Sequence, residues 1–245
     1  MRPTRVSNMH LSDDERAART RLARAPRPRI AATVVLTIGE PRKPRILMGK
    51  RSARHDFMPS VYVFPGGRVD RIDSYAPFAG DLSARTEAVL EAAFSPRKAR
   101  AVALACVRET FEETGLMLGR EAPVQRRNMR HPTYDAFRAA GQLPDLDGLE
   151  VFGRAVTPPH RHKRFDAWFF HRHLGEVAPP EVSDSHELLD VGWFGLEDIG
   201  TLKLQRATEM MIKVFRDHLA RDVPEPGIFY SRAVRGVFRQ ERFPG

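Results

Sequence analysis

The stretch from Ser95-Pro96 to Gly115 constrains the fold more than any other part of the chain. Serine followed by proline is a helix start, with Ser95 as N-cap and Pro96 at the first helical position. No residue after Pro96 breaks the run, and Gly115 supplies the left-handed residue on which helices end. The spacing predicts a helix reaching Thr114. At about 100° per residue, Ala99, Val102, Ala103, Cys106, Val107 and Thr110 fall on or near one face, while Ala105, Arg108, Glu109, Glu112 and Glu113 fall on another. The apolar face explains why the helix packs. It leaves unexplained three carboxylates at spacings of three and four, where like charges repel by a few tenths of a kcal/mol per pair.

Two readings of those acids stay open on the residues alone. They form a solvated acidic stripe, with Arg108 making an ordinary ion pair to Glu112, or they relieve their repulsion on a hard divalent cation. Oxygen ligands that leave room for water and phosphate suit Mg²⁺ or Mn²⁺. A glycine pair, Phe64-Pro-Gly-Gly67, follows an apolar run, and glycines permit close backbone approach to a ligand or metal. By itself Pro-Gly-Gly reads as a turn that ends a strand.

Around this helix the pattern alternates. Ile30–Ile38 is branched and apolar enough for a buried strand, Arg45–Lys50 is its hairpin partner, and Val61–Phe64 is a third strand. Residues 70–94 and 119–150 are irregular segments, the first with short helices near 82–93. Val151–Ala155, Phe165–His171 and Leu188–Phe194 read as strands. A helix over Lys203–Ala220 carries Leu204, Ala207, Met211, Val214, Phe215 and Leu219 at helical spacing, so Met210-Met211 is core filling. Strands, a helix, more strands and a final helix predict an α/β (α+β) sandwich, a mixed sheet between helices. The expected division is a flexible Arg-rich arm over 1–29, a domain over 30–222 with insertions at about 70–94 and 119–150, and a basic, unassigned tail over 223–245.

Charge and composition narrow the partners. The net charge is +9 over 245 residues, but residues 1–29 hold eight arginines against Asp13, Asp14 and Glu15, a net of +5, leaving only +4 for the body. Much of the basicity is thus an arm rather than a face of the domain, which weakens a nucleic-acid reading. The longest apolar stretch, Ile30–Ile38, is about half a membrane span. The single cysteine, Cys106, excludes an intramolecular disulfide framework and a multi-cysteine zinc site, and with no secretory signal in view the expected compartment is the cytoplasm. His160, His162, His171 and His173 invite a zinc site, but no cysteine or clear carboxylate completes one.

Together, Phe64–Gly67 and Arg108-Glu-Thr-Phe-Glu-Glu-Thr-Gly-Leu116 resemble the Nudix hydrolase superfamily, whose signature is G-x5-E-x7-R-E-U-x-E-E-x-G-U with U a bulky aliphatic. Arg108, Glu109, Glu112, Glu113, Gly115 and Leu116 match, and Thr110 departs at the first U. Gly67 stands 41 residues before Arg108 where the signature expects 14, so about 27 residues are inserted, and the Glu expected eight before the arginine falls on Arg100. Lys50-Arg-Ser-Ala-Arg, Val61–Gly67, Arg164–Phe170 and Trp193-Phe194 look like the branch related to peroxisomal coenzyme A diphosphatases. Arg51, Ser52 and Phe64–Gly67 fit that branch's coenzyme A motif, from which Asp56 and Ser60 depart.

The resemblance implies a Nudix-type α/β/α sandwich and cleavage of a diphosphate linkage in a nucleoside diphosphate derivative by attack of water. It implies that Glu109, Glu112 and Glu113, with a backbone ligand at Gly67, hold Mg²⁺ or Mn²⁺, and that Arg108 orients Glu109. Arg51, Phe64, Gly66 and Gly67 are the substrate-binding positions. A general base in this family often comes from outside the box; Glu187 is the candidate, with Asp184 and His186 as rivals. Family members often dimerise. A catalytically weak nucleotide- or RNA-binding module is the alternative function.

Overall fold

The computed structural model describes residues 9–10, 26–53, 59–123, 130–175, 178–221, 227–234 and 237–244. Its strands are β1 (Met9–His10), β2 (Arg29–Ile38), β3 (Arg45–Arg51), β4 (Tyr62–Val63), β5 (Gly66–Arg68), β6 (Gly119–Glu121), β7 (Gln142–Pro144), β8 (Glu150–Val156), β9 (Phe165–His173), β10 (Leu188–Gly195), β11 (Ile228–Val234) and β12 (Val237–Phe243). The helices are α1 (Ala84–Glu91), α2 (Pro96–Thr114), α3 (Pro132–Ala139) and α4 (Arg206–Leu219). Ten strands form one mixed sheet in the order β1-β12-β11-β8-β9-β2-β3-β10, with β4 on β3 and β5 on β2, while β6 and β7 pair separately. β2 runs parallel to β9, and β8 parallel to β11.

The sheet is buried on both faces, which is why Ile30–Ile38 reads as a continuous apolar run rather than an alternating one. Ala32, Val34, Leu36 and Ile38 pack with Ala99, Val102, Cys106 and Val107 of α2. Val35, on the other face, joins Phe152, Phe169 and the Met211, Ile212 and Phe215 of α4. Each fully buried Val, Leu, Ile or Phe contributes about 1.5–3 kcal/mol, so these two clusters lock α2 and α4 to opposite faces. The expected α/β/α sandwich is what forms.

Helix α2 spans Pro96–Thr114 and ends on Gly115 at φ 71°, as the sequence reads, although the Ser95 side chain makes no capping bond. Its expected two-faced character gives way to burial nearly all round: Ala101 to Arg108 are all buried, Ala105 included. Thr110, at the aliphatic position of the signature, is buried with its hydroxyl donating to the Cys106 carbonyl, 2.8 Å away. That local bond lets a polar side chain stand in an apolar place.

Two expectations are corrected here. Pro65-Gly66-Gly67 does not simply stop a strand: Gly66–Arg68 pairs with Ala31–Thr33 of β2. The segment after Pro224 is not left outside the sheet: Ile228–Phe243 forms β11 and β12, with Tyr230 opposite Arg154 of β8. Of the N-terminal arm, Met9–His10 pair with Val237–Phe238, and residues 1–8 and 11–25 lie outside the described residues. Among the described residues no helix is long and apolar enough to cross a membrane.

Candidate active site

β2 and β3 pair only at Thr37–Ile46 and Ile38–Arg45, then part, β2 taking β5 as neighbour and β3 taking β4. The double glycine sits where the strands have separated, beside the C-terminal half of α2. The backbone N–H of Gly66 donates to Glu113 Oε2 at 2.7 Å. A Cβ on Gly67 would fall on the carboxylate of Glu109, and one on Gly66 (φ 152°) on the carbonyl of Ala32. Glycine is therefore required at both positions by what lies against them.

Arg108 organises the acids. Its side chain is 3% exposed, and its Nη1 donates to Glu109 Oε1 at 2.8 Å and to Glu112 Oε2 at 3.0 Å. Nη2 donates to the Arg68 carbonyl at 2.8 Å, so the guanidinium ties β5 to α2. Nε donates to Asp73 Oδ1 at 2.8 Å, and Asp73 is fully buried. Burial works against the Arg108 charge, but Asp73, Glu109 and Glu112 more than offset it and hold the guanidinium protonated. An exposed i,i+4 pair of small worth is thus not what Arg108 makes.

Asp73 is the residue the sequence reading missed. The acid sought at Arg100, counting back from Arg108, is found by counting forward: Asp73 is six residues after Gly67, the G-x5-E interval. The insertion lies between the two halves of the signature, after this acid rather than before it. Tyr134 of α3 donates to Asp73 Oδ1 at 2.6 Å, and Thr133 donates to Glu112 Oε1 at 2.5 Å. The segment over 119–150 therefore feeds two groups into the site.

The electrostatics follow from burial. Desolvation pushes Glu109 up to about 7, with Glu112 adding to the rise and Arg108 opposing it. Glu113 is raised well above the carboxylate range, first by burial and then by Glu109. Glu112 is the more open of the three, its side chain 33% exposed. These acids, Gly66, Gly67, Arg51, Phe64 and Glu187 border one cavity of about 630 Å³.

Each sequence-predicted site residue can be located. Arg51 lies near Glu113 and Glu187, and burial lowers its pKa. Phe64 is 4% exposed and packs in the cluster beneath α4 as well as bordering the cavity. Glu187 is 48% exposed at the cavity edge. Of its rivals, Asp184 accepts from the Val191 N–H at 2.9 Å, and His186, its side chain 88% exposed, lies 3.5 Å from the Glu187 carboxylate. His171 and His173 both bond Thr37 Oγ1, at 2.9 and 3.0 Å, and burial pushes His171 down to about 3. Of the two coenzyme A motif departures, Ser60 adopts φ 59°, and Asp56 lies outside the described residues.

The donor set suits a hard divalent cation. It is all oxygen, and burial raises the proton affinity of Glu109 and Glu113, so a cation bound there would favour their ionised forms. In this structure the three carboxylates are turned to Arg108 and to Gly66, and no cluster of three metal-ligating side chains is formed among the described residues.

No family model matches the chain. Among curated proteins it is 28% identical over 228 residues to the acyl-coenzyme A diphosphatase NUDT19 of Gallus gallus, a match covering 67% of this chain and 60% of that protein. The chain thus spans less than two thirds of that relative. Among solved structures it is similar to the crystal structure of a NUDIX hydrolase from Alicyclobacillus acidocaldarius, with a TM-score of 0.60 and 26% identity over 82% of this chain and 98% of the other. With acids of the signature beside the double glycine and a solved NUDIX hydrolase matched along nearly its whole length, the chain resembles the Nudix hydrolases and, among curated proteins, an acyl-coenzyme A diphosphatase.

Proposed function

We propose that the chain hydrolyses the diphosphate linkage of a nucleoside diphosphate derivative, with coenzyme A or an acyl-coenzyme A as its substrate class. The observation that carries this reading is the convergence of Glu109 and Glu113 on the Gly66–Gly67 strand, with Glu112 held beside them by Arg108, at the border of a 630 Å³ cavity. Similarity to an acyl-coenzyme A diphosphatase supports the substrate class. In this reading Glu109, Glu112 and Glu113, with the Gly67 carbonyl, hold Mg²⁺ or Mn²⁺. A divalent ion bound there would neutralise charge on the diphosphate and lower the pKa of a bound water.

The chain's own groups supply the rest. Arg108 fixes the carboxylates of Glu109 and Glu112 through one nitrogen, so neither spends binding energy on ordering. Glu187 takes the proton from the attacking water; its half-exposed carboxylate at the cavity edge supports that role over Asp184 and His186. Arg51, drawn between Glu113 and Glu187, binds phosphate oxygens, and Phe64 forms the apolar floor. The free, buried Cys106 supports a reducing cytosol as the compartment.

The test is turnover of coenzyme A, acyl-coenzyme A, ADP-ribose, NADH and dinucleoside polyphosphates with Mg²⁺ or Mn²⁺. Cleavage at the diphosphate, abolished by chelator, is expected. Glu112→Gln and Glu113→Gln are each expected to lower kcat/KM by about a hundredfold or more, since loss of a supporting group alone costs about 10–100-fold. Changes within about threefold would remove these acids from the metal site.

A further inference from the structure

Glu112 is the most open of the three acids after Arg108, yet it is the one with both carboxylate oxygens held. Oε2 accepts from Arg108 Nη1 at 3.0 Å, and Oε1 accepts from the hydroxyl of Thr133 at 2.5 Å. Glu109 meets Arg108 through one oxygen, and Glu113 meets the Gly66 N–H through one. Thr133 is only 3% exposed and belongs to α3, outside the helix that carries the acids. A threonine hydroxyl ordinarily bonds the backbone of its own turn. Here it finds its acceptor on a neighbouring helix, so packing has aimed it there.

That packing can be traced. Pro132 starts α3, and Tyr134 and Phe137 are buried in the core. Phe137 meets Phe111 of α2 edge to face, ring centroids 5.7 Å apart, one residue before Glu112. Tyr134 donates to Asp73, Asp73 accepts from Arg108, and Arg108 donates to Glu112. The series Thr133, Glu112, Arg108, Asp73 and Tyr134 therefore closes on itself through the peptide bond between Thr133 and Tyr134. In such a circuit no member turns without breaking a hydrogen bond in a setting where each is strong.

We infer that Thr133 is a positioning residue for divalent-cation binding: its hydroxyl presets the Glu112 carboxylate, and its loss weakens the metal site. The inference rests on the diphosphatase reading, in which Glu112 is a metal ligand, and deepens it by giving α3 a part in that site. A glutamate side chain has several rotatable bonds, and ordering an open one costs affinity. A single donor on one oxygen lets the carboxylate swing; a second donor on the other oxygen fixes its plane. Each oxygen keeps a further lone pair, so the two bonds direct the group without consuming it. Thr133 acts only through Glu112.

The experiment is a calorimetric titration of the full chain with MnCl₂ in the absence of substrate. Thr133→Val keeps the shape of the side chain and removes its hydroxyl; it is expected to raise the Kd for Mn²⁺ at least about tenfold, the lower end of what losing a group behind a metal ligand costs. Thr133→Ser restores the hydroxyl and is expected to stay within about threefold of the unaltered chain. In a Glu112→Ala background, where Glu109 and Glu113 still offer ligands, Thr133→Val is expected to add no more than about twofold, because the effect passes through Glu112. A Kd within about threefold for Thr133→Val, or the same loss with Glu112 already removed, overturns the inference. Should Thr133→Val fail to fold, Thr133→Ala is read against Thr133→Ser in the same way. If the unaltered chain binds no Mn²⁺, the metal-site reading falls and the inference with it; Mn²⁺ binding indifferent to Thr133 overturns the inference alone.

Discussion

A guanidinium as buried as that of Arg108 survives only because Asp73, Glu109, Glu112 and the Arg68 carbonyl meet its nitrogens. Buried charge is tolerable when paired and hydrogen-bonded, and breaking one partner leaves the other uncompensated. At this scale the glycines are as specific as the acids. Gly67→Ala would set a methyl group on the Glu109 carboxylate; turnover is expected to fall at least about a hundredfold, the order reached when a site group is displaced by about an ångström. Steady-state kinetics with a thermal melt separates that loss from misfolding. Glu109 also makes a pH prediction for the metal-free chain. Its carboxyl is raised by burial from 4.5 unfolded to about 7 folded, so the folded state binds the proton more tightly. The stability this contributes is fully present below about 4.5 and fades as pH rises through about 7. Urea titrations across that window are expected to show a shallower pH dependence for Glu109→Gln; an unchanged slope would assign the rise elsewhere.

Among the elements, α2 and α3 divide the labour of the site. α2 was legible because its evidence is local: Pro96 at the start, Gly115 at the end and a helical repeat between them. α3 was not, since eight residues inside an irregular segment carry little periodicity of their own, and its placement depends on Phe137 and Tyr134 entering the core. Once docked, α3 touches the network at two adjacent residues, Thr133 on Glu112 and Tyr134 on Asp73. Tyr134→Phe removes the hydroxyl and keeps the ring. It is expected to lower stability by about 1–3 kcal/mol, since Asp73 loses a donor in a dry setting, and to lower kcat more than it alters KM. A KM change alone would mean that α3 shapes the pocket without holding the acids.

The sheet joins distant parts of the chain in a way no single segment announces. Arg154 of β8 stands over the rings of Trp168, Tyr230 and Phe243 at 4.6, 4.7 and 4.8 Å, and pairs Asp166 through two nitrogens at 2.8 and 2.7 Å. Two of those rings come from β11 and β12, the strands formed by the basic tail. Ending the chain after Arg221 would strip Arg154 of them and leave β8 an open edge. Such a chain is expected to lose its near-ultraviolet circular dichroism and to aggregate on gel filtration; a monomer that unfolds cooperatively with unchanged stability would show the last two strands to be dispensable.

What the sequence determined by itself was short in range. The helix with its caps, the strands of β-branched residues and the acid spacing after Arg108 all depend on neighbours within a few positions, so composition and periodicity reveal them. What the tertiary structure decided was every contact between residues far apart in the chain. Asp73 reaches Arg108 across the insertion, α3 grips Glu112, and Tyr230 lies opposite Arg154 in a parallel pair. Such contacts form only when the burial of apolar surface on both faces of the sheet offsets the entropy of closing long loops, and that balance belongs to the folded molecule rather than to any segment of it.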